Sequence, residues 1–393
     1  MNSEPQALFE LPVGARVPRP SRESSRPRTA TVARLVPMPE PLLPARPEPI
    51  IQDGPCLAGM EEVGTGLLDH ADAMQRVAAS APPGPLLINA GPGTGKTHVL
   101  VRRIAYHIEE LHIPASQCLV LTAGSPDTVR TDLAELIGSH CDEITIAAFG
   151  DIQIRDVPAL GHLFVDDIHR MSPKLYDALR ADRGAQPAFT ATGDPDSALH
   201  DGPSPFESFP SDYPDARVVR LTRNYRSTAP IIAAAMQLIT PVTRAPGRTM
   251  LPERPAATTA PIGRYFAPAD AAERDFAANL PATLAASGID AADVMVLRPG
   301  GGEIAGVPSL SIAESAGRQF RAVCLLGVTA KNFPDTPAAR RALFTAMTRA
   351  GDLLYLSHSG AASPLLNGID AGLFSAFGRV AVRSPRVEQP RLL

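Results

Sequence analysis

From about residue 66 onward, short apolar runs alternate with stretches whose apolar positions recur at helical spacing. Runs at 86–89, 118–122, 144–147, 162–165 and 188–192 predict strands, and the pattern resumes at 218–221, 294–297, 310–312, 323–328 and 353–356. Val101, Ile104, Ala105 and Ile108 fall on one face of a helix soon after the first run. Runs that are continuous rather than alternating, and separated by helices, predict parallel strands buried on both faces. Pro203, Pro205, Pro210 and Pro214 punctuate the chain and place a domain boundary near residue 215. The fold class expected is α/β, with helix-covered parallel sheets in two domains, 56–215 and 216–393. No internal repeat is evident.

Residues 1–55 behave differently. The first 50 or so hold segments such as Arg16-Val17-Pro18-Arg19-Pro20 and Pro39-Glu40-Pro41, with no surviving periodicity. They read as a disordered or extended tail, a solvated one before a docking arm.

Composition narrows the class without naming it. At 393 residues there is room for two domains and a tail, and 44% apolar with 20% charged residues suits a globular protein. Nothing approaches the roughly 18 uninterrupted apolar residues of a membrane span. The N-terminus lacks the order of a signal peptide, so a cytoplasmic location is expected. The four cysteines, Cys56, Cys118, Cys141 and Cys324, form no C-x-x-C pair and suggest neither zinc nor disulfides. A net charge of −4 gives no overall basic field, and 5% aromatics without tryptophan leaves few platforms for stacking bases.

The strongest chemical signal is Ala90-Gly91-Pro92-Gly93-Thr94-Gly95-Lys96-Thr97, a phosphate loop with Ala in the first glycine position. Its glycines let backbone N–H groups turn inward around phosphates, and the following helix presents its positive end. In that pattern Lys96 reaches the β- and γ-phosphates of ATP and the Thr97 hydroxyl ligates Mg²⁺. Such a loop needs a carboxylate at the end of a neighbouring strand. Leu163-Phe164-Val165-Asp166-Asp167 supplies two: Asp166 on the metal side, and Asp167 to orient or deprotonate the attacking water. A capping role for Asp167 is the plainer alternative.

Taken with further motifs, the chain resembles the core of the UvrD/Rep-type superfamily 1 DNA helicases, from about Gln75 to Leu356. Gln75 stands where that family keeps an adenine-reading glutamine. Thr190-Ala191-Thr192-Gly193-Asp194-Pro195-Asp196 is similar to its third motif. Asn224-Tyr225-Arg226-Ser227-Thr228 is similar to a motif whose Tyr packs on adenine and whose Arg reaches the γ-phosphate. Thr348-Arg349-Ala350 is similar to the last motif, with a second arginine finger. The resemblance implies two RecA-like P-loop domains, with Tyr225 at the base and Arg226 and Arg349 acting across a cleft. A finger from a second domain stabilises charge on the transferred phosphoryl group, so closure depends on ATP.

The resemblance also breaks in places. Asp167 replaces a Glu, His169 and Arg170 replace Gln and Asp, and Ser197 stands at a glutamine sensor. Gln319 takes the place of a ribose-binding Glu. On the DNA side, Ala123 occupies a base-stacking Phe position and His200-Asp201-Gly202 replaces an aromatic-rich segment. The spans 122–165 and 228–310 suit the core domains alone, without the two helical insertions that contact duplex. Two functions follow: an ATPase driving DNA translocation or remodelling on single-stranded DNA within a larger assembly, or a helicase-derived ATP switch read by a protein partner. A phosphate-loop kinase or GTPase is disfavoured by the two arginine motifs and by the lack of Asn-Lys-x-Asp.

Overall fold

The computed structural model describes residues 66–152, 161–181, 188–199, 202, 204–254, 262–300, 307 and 309–378. The tail expected over 1–55 lies outside them, as do His200 and Asp201.

The first lobe runs α1 (Ala73–Ser80), β1 (Leu86–Ala90), α2 (Lys96–Glu109), β2 (Cys118–Thr122), α3 (Pro126–Ile137), β3 (Thr145–Ala148), β4 (His162–Asp166), α4 (Pro173–Ala181), β5 (Ala188–Gly193), α5 (Pro205–Asp212) and β6 (Arg217–Leu221). A connecting stretch holds β7 (Arg223–Asn224), α6 (Ala229–Ile239) and β8 (Leu251–Pro252). The second lobe follows with β9 (Ile262–Ala267), α7 (Asp270–Ala285), β10 (Val294–Arg298), β11 (Ser309–Ser311), β12 (Phe320–Leu325), α8 (Pro337–Met347), β13 (Ala350–Ser359) and β14 (Phe374–Gly378).

Each lobe is built on a six-stranded sheet whose pairings are all parallel, in the orders β3-β2-β4-β5-β1-β6 and β11-β10-β12-β13-β9-β14. Counting strands from the start of each lobe, the two orders are identical. The second lobe therefore repeats the topology of the first, which no sequence repeat announces. The strand at 217–221 corrects one expectation: a boundary near 215 assigns it to the second domain, yet β6 pairs along β1 from Leu86↔Arg217 to Ala90↔Leu221. The first sheet thus extends past the proline-rich stretch, to Leu221.

Continuous apolar runs become central strands because both faces are covered. All of β2 is buried, and so are the inner residues of β4. One cluster, including Leu100, Ile104, Val120, Leu133 and Phe164, packs α2 and α3 on one face of the first sheet. Another, including Leu121, Val165, Tyr176, Phe189 and Phe209, packs α4 and α5 on the other. In the second lobe α6 and α8 pack with Leu297, Val323 and Leu354, and α7 packs with Val296, Ala322 and Cys324.

Buried Arg103 of α2 fastens the entry to the first lobe. Its guanidinium donates to the carbonyls of Ala78, Ala81 (2.7 Å) and Pro82 after α1, and Nε donates to Thr190 Oγ1 of β5 (2.8 Å). The last carbonyls of α1 thereby find donors inside the protein. Among the described residues no helix is long and apolar enough to cross a membrane.

Candidate nucleotide site

The phosphate loop leaves the carboxyl end of β1 and enters α2 at Lys96. It turns this tightly because Gly93 (φ 72°) and Gly95 (φ 83°) adopt left-handed backbone that side chains disfavour. A Cβ on Gly93 would sit 2.6 Å from Asn224 Nδ2, and one on Gly95 2.8 Å from Gln75 Nε2. Thr94 Oγ1 donates to the Gly91 carbonyl (2.8 Å) and Lys96 Nζ donates to the same oxygen (3.2 Å). No acid occupies the first turn of α2, so the positive end of its dipole is uncompensated by its own side chains.

Gln75 lies beside this loop, buried. Its Oε1 accepts from the Asp72 N–H (3.0 Å), completing a capping box at the start of α1, and its Nε2 donates to the Thr94 carbonyl (3.1 Å). Its side chain braces the loop.

The acids arrive at the end of β4, beside β5. Asp166 accepts from the Thr97 hydroxyl at Oδ2 (2.7 Å) and from the Thr192 hydroxyl at Oδ1 (2.7 Å). Thr192 also accepts from the Asp167 N–H (3.2 Å). Asp167 takes left-handed backbone (φ 58°, ψ 47°), which Asp tolerates better than most residues, and this aims its side chain toward Lys96 Nζ at 3.9 Å. Burial, joined by the charge of Asp167, pushes the Asp166 carboxyl up. Burial also raises Asp167, but Lys96, His169 and nearby arginines outweigh it and hold that carboxyl below its ordinary value.

Two observations fit a hard divalent cation here. The Thr97 hydroxyl and the Asp166 carboxylate face each other as oxygen donors, and the Oδ1 of Asp167 is buried with no hydrogen-bond partner.

Of the segment expected in the second domain, Asn224 and the Tyr225 backbone reach the same loop. Asn224 Nδ2 donates to the Pro92 carbonyl (2.6 Å), and the Tyr225 N–H donates to the Gly93 carbonyl (2.9 Å). The Tyr225 ring is exposed, with its hydroxyl donating to Asp72 (2.5 Å). Arg226 turns the other way: Nε donates to Gln319 Oε1 (3.0 Å) and Nη1 to the Thr348 carbonyl (3.2 Å). Arg349 is buried at the end of α8, held by the carbonyls of Thr345 and Arg318. Burial lowers the pKa of both arginines, with each other's charge adding to the effect on Arg226; Asp167 offsets it for both, and Asp194 for Arg349. Gln319, expected at a ribose, is exposed and engaged with Arg226.

Sequence reasoning overlooked Thr192 as a second brace on Asp166, although it lies within a quoted motif. Asp72 was also overlooked, yet the D-x-x-Q spacing of Asp72 and Gln75 is a readable capping signal. Arg248, which pairs with Asp194 and Asp196, had no local signal because its partners lie far away in the chain.

Residues 71–157 match the family of the UvrD/REP helicase N-terminal domain. Over 98 residues the chain is 32% identical to the ATP-dependent DNA helicase PcrA of Bacillus subtilis, covering 24% of this chain and 13% of that protein. Over 76 residues it is 43% identical to the ATP-dependent DNA helicase UvrD1 of Mycobacterium leprae, covering 19% of this chain and 10% of that protein. The matched region is thus a small part of each relative's length. Among solved structures, the arterivirus nonstructural protein 10 helicase in complex with DNA aligns with 74% of this chain and 63% of its own, at 18% identity and a TM-score of 0.45. The sequence matches thus reach one part of the chain: residues 71–157, which hold the phosphate loop, are similar to the UvrD/REP helicase N-terminal domain and to the helicases PcrA and UvrD1.

Proposed function

We propose that the chain hydrolyses ATP with Mg²⁺ in the cleft between its lobes and that this cycle drives DNA translocation or remodelling within a larger assembly. One observation carries the reading. Consecutive residues bridge the two halves of the cleft: Asn224 and Tyr225 bond to the phosphate loop, while Arg226 bonds to Gln319 and Thr348 of the second lobe.

The chemistry follows from charge. Lys96 offsets the charge of the terminal phosphates, and Thr97 and Asp166 would hold Mg²⁺, which would neutralise further phosphate charge. Asp167, kept ionised chiefly by Lys96 against its burial, receives or orients the proton of the attacking water. Arg226 and Arg349 meet charge developing on the equatorial oxygens. Both are already loaded onto second-lobe carbonyls, so their movement toward ATP pulls that lobe with them.

A second reading, an ATP switch acting on a protein partner, is favoured by Ala123. Its carbonyl accepts from Arg170 (3.2 Å), and it offers no aromatic ring at the end of β2 for a base to stack on. ATP turnover measured with and without single-stranded DNA, beside Lys96→Ala, separates the readings. Stimulation by DNA is expected. Turnover indifferent to DNA favours the switch, and turnover that survives Lys96→Ala defeats both.

A further inference from the structure

We propose that Arg248 is a positioning residue that transmits the state of the nucleotide site to the end of helix α8, just before Arg349, through a buried ion triad with Asp194 and Asp196. This rests on the ATPase reading above.

Arg248 lies between α6 and β8, on the connection between the lobes. Its Nη2 makes a short charged hydrogen bond to Asp194, and its Nη1 lies 3.1 Å from Asp196 Oδ2. Asp194 and Asp196 are fully buried, and the Arg248 side chain is only 5% exposed. The same connection grips Asp196 twice more, through the Thr243 hydroxyl (2.6 Å) and the Arg244 N–H (2.6 Å). On its other side the guanidinium lies over the Phe344 ring, 5.7 Å from the centroid. Phe344 is buried in α8, and its carbonyl accepts from Thr348, immediately before Arg349.

Toward the nucleotide, the Asp194 N–H donates to His169 Nδ1 (3.1 Å), and that nitrogen lies 3.8 Å from Asp167 Oδ1. Asp167 in turn faces Lys96. Lys96, Asp167 and His169 thus approach one another in turn at 3.9 and 3.8 Å, without a hydrogen bond between Asp167 and His169. Hydrogen bonds continue from His169 through Asp194 to Arg248, beside the last turns of α8. Ser197 does not reach into the cleft: its hydroxyl donates back to Asp194 Oδ2 (2.6 Å). Arg248 leads outward from these acids to α8, alongside a direct contact in which Arg341 Nε of α8 donates to the Ala198 carbonyl (3.2 Å).

Desolvating a guanidinium and two carboxylates offsets much of their attraction, and buried ion pairs fix register better than they add stability. Here the register fixed is between the end of β5, the connection and α8. Burial raises Asp194, yet Arg248, joined by Lys96 and His169, outweighs it and brings the carboxyl down to about 2.

The test uses the full chain and Arg248→Lys, which keeps the charge and loses the two-pronged geometry. The expected result is a kcat about tenfold lower, with the KM for ATP within about twofold, since ground-state binding is left intact. Hydrogen exchange with a non-hydrolysable ATP analogue gives a second readout. In the unmodified protein, protection should rise at 91–97 and at 344–349; in Arg248→Lys only the first rise should remain. A folded Arg248→Lys with unchanged kcat and both rises overturns the proposal. If that variant lacks a cooperative melt, Asp196→Asn is read instead; it keeps the Asp194 pair, and a lowered kcat supports the coupling while an unchanged one overturns it. A rise at 91–97 without one at 344–349 in the unmodified protein also overturns the coupling and leaves the ATPase reading standing. No response at 91–97 and no turnover in the unmodified protein would remove the ATPase reading itself, and the coupling with it.

Discussion

Asn224 donates through Nδ2 to the carbonyl of Pro92, 132 residues earlier in the chain, at 2.6 Å. Its own Oδ1 accepts the N–H groups of Arg226 (3.0 Å) and Ser227 (2.8 Å). One buried amide thus shapes the arginine-bearing turn and docks it on the phosphate loop. Asn224→Ala leaves these groups without partners, each costing about 1–3 kcal/mol if water cannot reach it. A net loss of about 2–4 kcal/mol in urea unfolding is expected, with weaker ATP binding. A stability change below about 0.5 kcal/mol would show that the contact carries little.

Gly93→Ala should act on binding more than on folding. The added Cβ would meet Asn224 Nδ2 at 2.6 Å and Arg226 Cβ at 2.7 Å, on left-handed backbone. The loop must open to relieve this, which misaligns its N–H groups. Titration with a fluorescent ATP analogue should register an affinity loss of about tenfold or more, equivalent to ~1.4 kcal/mol.

Tyr225 offers an exposed ring; its backbone N–H bonds to Gly93 of the phosphate loop and its hydroxyl to Asp72, the N-cap of α1. Tyr225→Phe, which keeps the ring, should preserve the KM for ATP. Tyr225→Ala should raise it several-fold, since an aromatic contact is worth about 0.5–1.5 kcal/mol. Equal effects of the two variants would point to the hydroxyl contact and away from base packing.

Asp166→Asn removes the charge and keeps an acceptor for one of Thr97 and Thr192, its NH2 facing the hydroxyl oxygen of the other. ATP turnover in this variant should need a much higher Mg²⁺ concentration, while nucleotide binding in EDTA stays close to that of the unmodified protein. An unaltered Mg²⁺ dependence would place the cation elsewhere.

His107 sits in α2, buried edge-on against His162 and Phe164. Burial, then the charges of Arg103 and His162, lowers its pKa to about 2. Below the ordinary value near 6.5 the unfolded chain binds a proton that the folded one refuses, so stability falls as pH falls. The contribution lost between pH 7.5 and 5.5 is about 1.4 kcal/mol. His107→Phe should flatten that part of the stability profile, measured by urea unfolding across the same range.

The phosphate loop was legible because its glycines, lysine and threonine are adjacent in sequence and sit between a strand and a helix. Ten strands announced themselves as continuous apolar runs, to within a few residues. β9 did not, because Gly263 and Arg264 interrupt it, and only the tertiary structure lays the Arg264 guanidinium over Phe266 and Phe374. The last strand, Phe374–Gly378, is short and carries Ser375 among its apolar residues. The domain boundary went astray because prolines mark turns rather than sheet membership. β6 lies beyond them and still completes the first sheet. Arg248 was unreadable for another reason: a buried arginine looks like a surface one until its two carboxylates are brought to it from the end of β5.

The repeated strand order has a consequence for stoichiometry. In the second lobe, the place matching the phosphate loop is the turn from β9 into α7, at the edge of a cavity of about 680 Å³. No glycine loop is found there; Ala267-Pro268-Ala269 leads into a helix whose first turn carries Asp270 and Glu273. Glu273 accepts the Gly327 N–H at 2.6 Å, so the chain's own carboxylates occupy the dipole end that α2 leaves open to phosphate. The two lobes of one design thus differ at equivalent points: glycines and Lys96 stand at the start of α2, whereas Asp270 and Glu273 stand at the start of α7, and the glycine-lined turn is present only in the first. On the proposed ATPase reading, equilibrium binding of an ATP analogue should therefore saturate at one nucleotide per chain, with the second lobe acting as a lever moved from a single site.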